Sequence, residues 1–559
     1  MESRKLRQIN SKPRVSLKWV RNLKLKVLVA TGILLFITFS LTWAQEKEEK
    51  PTLKLPEVEI VGEDKSKLKR EKGEIEKPSL PESPLPWPEE TIQPEEEEPV
   101  TSLKPPPYDK ISGGKKRDER PPISALSSFK LSYDSLNTLY YQYVYGQQTK
   151  QTNYLLTMER KRSDGFSWHD RANFDQFSRD RLAGDISFYL NRGNLSAEMT
   201  YLGEDTFLPY PDKEDQEKVK ATSITLSGQI YTSDRADLTF RTYFHESLFS
   251  GEEDSDNRLI GADLGYHTYW LPAQNPLSLG LRAYQDKVSD GDERFYTFLY
   301  AESNSFLIKP FLFDIGLELN GSDQEALEQI DFLIRFSSPW GEKVTLFAAA
   351  ERELHIPTYG ELYVESKYWR VNHEIEPERI MKYQLGAHRQ LTETSSLKAT
   401  LFIKDVEDLI IWREDRDQLY KPENMEEALL WGGELNLTHT IANRFIQTLH
   451  YQYTEAEGKE KDDHIPHLPV HKGELQVGYN DGELRIELGG EYVSHRYADI
   501  GKEKLDSYML LNVLISEKPG RNLTLFMEGE NLLDEEDALE RQDYPLPGLQ
   551  VRAGVTVKF

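Results

Sequence analysis

From about Leu126 to the last residue, apolar and polar positions alternate in repeated segments of roughly ten residues, each closed by a turn. In "DISFYLN" the residues Ile186, Phe188 and Leu190 fall on one side. "GELRIELGGEYV" sets Leu484, Ile486 and Leu488 against Glu483, Arg485 and Glu487. "LTLFMEGEN" sets Leu523, Leu525 and Met527 against Thr524, Glu528 and Glu530. The final segment, "GLQVRAGVTVKF", repeats the pattern with Leu549, Val551, Ala553, Val555, Val557 and Phe559. Period two over a whole segment means that one face meets an apolar phase and the other meets water. The pattern predicts an all-β fold: a transmembrane antiparallel β-barrel of about 22 strands, apolar toward lipid and polar toward its lumen.

The connections separate such a barrel from a large soluble propeller or sandwich array, because they alternate in length. Short ones are "QQTK" (147–150), "NRGN" (191–194), "TSDR" (232–235), "SNS" (303–305), "TIAN" (440–443) and "NDG" (480–482). Long ones lie between them at 204–220, 246–256, 353–378, 412–426, 454–469 and 533–547. Bacterial outer-membrane barrels have tight periplasmic turns and long outer loops. An even strand count then places both ends of the barrel on the periplasmic side of a Gram-negative outer membrane.

The first residues add a route to that membrane. Residues 1–26 are rich in Lys and Arg, "VLVATGILLFITFSLTWA" (27–44) is apolar and uncharged, and "QEKEEK" follows. This order fits a secretory signal at 1–44, cleaved after Ala44. An uncleaved single-span anchor is the alternative, since the apolar run is close to bilayer length. Residues 45–125 are rich in Pro and Glu with no sustained periodicity, so they are expected to be disordered in the periplasm. The barrel is expected to occupy 126–559.

Composition narrows the function. The chain has 559 residues, a net charge of −26 and no cysteine, and its mean hydropathy is −0.64. An acidic balance argues against a nucleic-acid partner. The absence of thiols removes disulfides, thiolate metal sites and a cysteine nucleophile. No Gly–x–Ser–x–Gly elbow, phosphate loop or His–Glu–x–x–His stretch is present, so neither an enzyme nor a resident cofactor is expected.

The second half resembles a known family. "RELHIPTYGELYVE" (352–365) and "EIEPERIMKYQLGAHRQL" (374–391) look like the barrel of TonB-dependent receptors. "LFIKDVEDLIIW" (401–412), "WGGELNLTHT" (431–440), "HLPVHKGELQVGY" (467–479) and residues 525–559 continue the likeness. The resemblance implies uptake of a small-molecule solute through the outer membrane: a siderophore, metal complex, vitamin or saccharide. It implies that Phe559, with Val555 and Val557, resembles the terminal strand signal read by the barrel assembly machinery. Members carry a globular plug ahead of the barrel, whereas 45–125 is too short and polar to be one. The lumen is therefore expected to be closed by outer loops, by 45–125 or by a separate plug protein. An island in "LPEVEIVGED", Glu57, Val58, Glu59, Ile60 and Val61, resembles the segment that pairs with TonB; a plug remnant or a plain linker strand is the alternative.

One outer connection offers metal-ligating types: Asp462, Asp463, His464 and His467, followed by His471. Two prolines stiffen that stretch, and His471 falls where the family has a Pro–x–His–Lys stretch. Aromatic residues Tyr359, Tyr363, Tyr368 and Trp369 could stack on a ligand or pack within their loop. The second functional class that fits is a surface structural or binding protein, its barrel serving only to anchor the outer loops.

Overall fold

The computed structural model describes residues 124–559 apart from short stretches in the connections, the longest being 208–215, 323–328 and 364–369. The expected signal, the Pro/Glu-rich segment and Glu57, Val58, Glu59, Ile60 and Val61 lie outside the described residues. Twenty-two strands form one antiparallel sheet in which each strand bonds to the next in sequence. The first, Ser124–Asp134, pairs with the last, Gln550–Lys558, from Ser128↔Lys558 to Asp134↔Arg552. That pairing closes the barrel and leaves the sheet no open edge.

The alternation read from the sequence becomes two faces. Leu131, Met158, Leu299, Leu385 and Leu401 all stand exposed on the outside. Register carries the stripe from strand to strand, so that Val555 lies between Leu131 and Leu525. On the next positions inward Arg552 reaches Glu528 at 3.0 Å, Glu530 at 3.7 Å and Asp134 at 3.7 Å. Tyr133, Tyr141, Tyr143 and Tyr145 are exposed on the outer face of the first two strands, as an interfacial aromatic girdle requires.

One rim carries tight turns, such as 191–192, 481–483 and 521–522. In the turn after Asn480, the Asp481 carboxylate accepts from Leu484 N at 2.8 Å, Glu483 N at 3.0 Å and the Tyr479 hydroxyl at 2.9 Å. The Leu484 and Glu483 amides hold its carboxyl below the usual range. Gly482 takes a φ of 95°, where a side chain would be strained. At the same rim the Phe559 amide donates to the Ser127 carbonyl at 2.7 Å, which fastens the chain end to the first strand.

Several boundaries differ from the sequence expectation. Most of 204–220, 246–256 and 412–426 belongs to strands, which run to Phe207 and from Gln216, to Ser250 and from Ser255, and to Glu414 and from Tyr420. Beyond the apolar belt both faces of a strand are wet or both are covered, so alternation vanishes while the hydrogen-bonded ladder continues. "SNS" (303–305) is not a turn. It lies inside Glu293–Ile308, where the register with Phe311–Ser322 shifts between Ser303 and Phe306, so a β-bulge accounts for the polar interruption. A further connection, 494–507, separates Leu484–Val493 from Tyr508–Gly520 and contains the short pair Arg496–Tyr497 and Lys504–Leu505.

Candidate functional site at the lumen mouth

At the rim opposite the tight turns, the described parts of two connections pack onto the wall. "IPTYGELY" forms the five-residue helix Tyr359–Tyr363. It is started by a reciprocal cap: the Glu361 carboxylate accepts from Thr358 N at 2.7 Å, and the Thr358 hydroxyl accepts from Glu361 N at 3.3 Å. The approach to this helix is apolar. Leu354 and Ile356 pack on Tyr296, Phe298 and Tyr284, which the register places on the inner face of neighbouring strands. Tyr284 and Tyr296 have ring centroids 4.6 Å apart. Above them the buried Arg294 guanidinium is paired to Asp286 and lies 5.9 Å from the Tyr363 ring. Tyr363 in turn meets the His373 ring at 5.3 Å.

The return limb, 370–377, runs along the hairpin made by Ser395–Glu414 and Tyr420–Ile441. Arg370 N donates to Tyr420 O at 2.8 Å, and the Asn372 amide donates to Pro422 O at 2.8 Å. Asn424 acts like a strand residue from its side chain. It accepts from Glu376 N at 2.7 Å and donates to Glu376 O at 2.9 Å and Asp408 O at 2.7 Å. Glu378, 1 % exposed, accepts from Ile410 N at 2.9 Å.

This hairpin explains the unbroken run "DLIIW" (408–412). Asp408 takes a φ of 58° and is held to Arg379 at 2.7 Å. Beyond it Leu409, Ile410, Ile411 and Trp412 are all buried. Ile410 packs with Leu362 and Ile375 of the helical loop. Leu409 and Ile411, with Val406, Met425 and Leu430, pack with Ile465 and Leu468 of the next connection. A strand covered on both faces reads as continuous apolar sequence rather than alternation. The hairpin is thus a partition between two inward-folded loops. That arrangement was hidden in the sequence, where the break in alternation at Asp408 was the available signal.

In the loop carrying the candidate ligands, the described side chains make packing contacts. His464 stacks on Tyr497 with centroids 3.8 Å apart, and His467 N donates to Tyr497 O at 2.8 Å. Lys504 covers the Tyr497 ring at 4.7 Å, and Arg496 donates to the Leu539 carbonyl. His471 bonds the Tyr451 hydroxyl at 2.8 Å. Asp462, Asp463, Tyr368 and Trp369 lie outside the described residues. Among the described residues no group of three or more His, Asp or Glu side chains is placed to hold a metal. Apolar clusters, aromatic stacking and the buried Arg294–Asp286 pair hold the described parts of two connections against the wall.

Comparison with known proteins agrees with this architecture. No curated protein sequence matches the chain. The barrel resembles the siderophore receptor PirA from Acinetobacter baumannii, at 12% identity and a TM-score of 0.65 over 78% of this chain and 80% of that one. It resembles the ferric-catecholate import receptor Fiu of K12 E. coli in its closed form, at 12% identity and a TM-score of 0.64 over 78% and 82%. The copper transporter OprC gives 14% identity and a TM-score of 0.65 over 78% and 80%. Residues 113–532 match the family described as TonB dependent receptor-like, beta-barrel. A 22-strand closed wall with an apolar outer belt, and a family match over most of the chain, make this protein an outer-membrane barrel of the TonB-dependent receptor family.

Proposed function

We propose that the chain is an uptake barrel for a small solute, with its tight-turn rim and both barrel ends in the periplasm and its mouth closed from outside by its own loops. The observation that carries this reading is the pair of loops packed inward on both sides of the 408–427 hairpin. No integral plug is assigned, and no catalytic step. The solute class follows the relatives: an iron- or copper-bearing complex, with a vitamin or a saccharide as the other candidates. Glu57, Val58, Glu59, Ile60 and Val61 are the proposed TonB contact, pairing as an added strand. Capture of a periplasmic TonB domain by the wild-type chain, lost in Val58→Pro, tests that contact.

The main test is single-channel recording of the full chain and of a variant with 359–374 replaced by a short Gly–Ser linker. A closed wild type and large, steady openings in the variant are expected. Large openings in the wild type would remove the closing role of the loops. Silence in both, and in a further variant lacking 45–123, would favour the surface-anchor reading, which the long strands beyond the apolar belt also suit.

Val555, Val557 and Phe559 are proposed as the strand end read during assembly. Deleting Phe559, or changing it to Asp, is expected to lower the inserted fraction several-fold without altering synthesis. Surface protease accessibility checks it, and unchanged insertion would remove that role.

A further inference from the structure

We infer that the lipid-facing side of the barrel carries a binding site for one zwitterionic phospholipid, its head bearing a phosphate and a primary ammonium. The site lies on five adjacent strands: Gln216–Ser233, Ala236–Ser250, Ser255–Trp270, Asn275–Val288 and Glu293–Ile308. Its apolar part is a groove of about 530 Å³ in the outer face. Register lines up three small side chains, Thr242, Ala262 and Ala283, on successive strands as its floor. Ile224, Ile260 and Phe295 stand around them. These three are 40%, 55% and 48% exposed, on the side that meets hydrocarbon. A groove in that face opens on lipid, so what fills it is an acyl chain.

Toward the mouth, the next lipid-facing position on each of four strands is charged. Beyond Phe244, Ile260, Gln285 and Phe295 come Glu246, Arg258, Lys287 and Glu293. Register sets these four side by side, in the order carboxylate, cation, cation, carboxylate. Arg258 bonds Glu246 at 2.8 Å and lies 3.9 Å from Asp256, while Lys287 is paired to Glu293. The two cations are 54% and 50% exposed and stand directly opposite each other, which costs free energy unless an anion lies between them. Lys220, exposed on the adjoining strand opposite Leu248, brings the cluster to three cations against three carboxylates. Lys218 and Asp205, opposite one another further toward the mouth, add no net charge. A neutral cluster with central cations and flanking carboxylates favours a neutral head of two opposite charges over an anionic one. A phosphate between Arg258 and Lys287 accepts from both. An ammonium two carbons away donates to Glu246 or Glu293, each about 4.8 Å further along the row. A quaternary ammonium has no N–H to donate there.

The site is independent of the uptake reading. The test is native mass spectrometry of the folded full chain in a maltoside detergent, titrated with phosphatidylethanolamine, phosphatidylcholine and phosphatidylglycerol of identical acyl chains. One phosphatidylethanolamine per chain is expected to bind saturably, about tenfold tighter than either of the others. Arg258→Gln combined with Lys287→Gln should remove that preference and leave the three lipids within about twofold of one another. Ala262→Phe combined with Ala283→Phe, which fills the groove, should weaken all three about tenfold. Arg352→Gln, an exposed cation on the strand Val344–His355, should change nothing. Heat-modifiable gel mobility confirms that each variant is folded. Three results would each overturn the site: equal affinity of the wild type for the three lipids, an undiminished preference in the Arg258 and Lys287 variant, or unchanged binding once the groove is filled.

Discussion

Replacing Asp286 with alanine is expected to destabilise the folded barrel by about 3–5 kcal/mol, because it strands the Arg294 guanidinium without a counter-charge. Both side chains of that pair are 9% exposed, so water does little to screen the loss. The same residues anchor the mouth, since Arg294 also lies over the Tyr296 and Tyr363 rings. The Arg282–Asp263 pair provides the control: its side chains are 42% and 22% exposed, and Asp263→Ala should cost no more than about 1 kcal/mol. Urea refolding midpoints in detergent measure both. Equal costs for the two variants would show that the Asp286 pair is not desolvated as described.

Leu401→Arg is expected to cost about 2–4 kcal/mol, the depth-dependent penalty for a cation at the middle of a barrel's lipid face. Leu401 is 63% exposed on the outer face and lies beside Leu385 and Gly433. It is about 20 Å along its strand from the tight turn, which places it near the centre of the belt. The inner positions Lys398 and Lys404 of the same strand already carry that charge. Refolding into bilayers, followed by the fraction of heat-modifiable band, measures the penalty. A variant that refolds like the wild type would contradict the assignment of lipid and lumen faces.

The wall was legible because a barrel strand meets two different phases, and residues such as Leu484, Arg485, Ile486 and Glu487 record that difference at every step. Strand number and the common end of the first and last strands followed. Strand height did not, since "RANFDQFSRD" (171–180) lies in a strand, Arg171–Leu190, without an alternating stripe. At the mouth, the sequence brought Tyr359, Tyr363, His464 and His467 into view as loop residues with chemistry. It did not show that Tyr363 meets Arg294 from a distant strand or that His464 spends its ring on Tyr497, because those contacts join segments far apart in sequence.

The hairpin at 408–427 has a thermodynamic consequence. Its two faces are covered by different loops, Leu362 and Ile375 on one side and Ile465 and Leu468 on the other. Lifting either loop wets one face of Leu409–Trp412 and removes half of what holds the hairpin upright. The second loop then leaves a partner that is less ordered, at a smaller free-energy cost than the first. Departure of the two loops is therefore expected to be cooperative, the release of one lowering the cost of releasing the other.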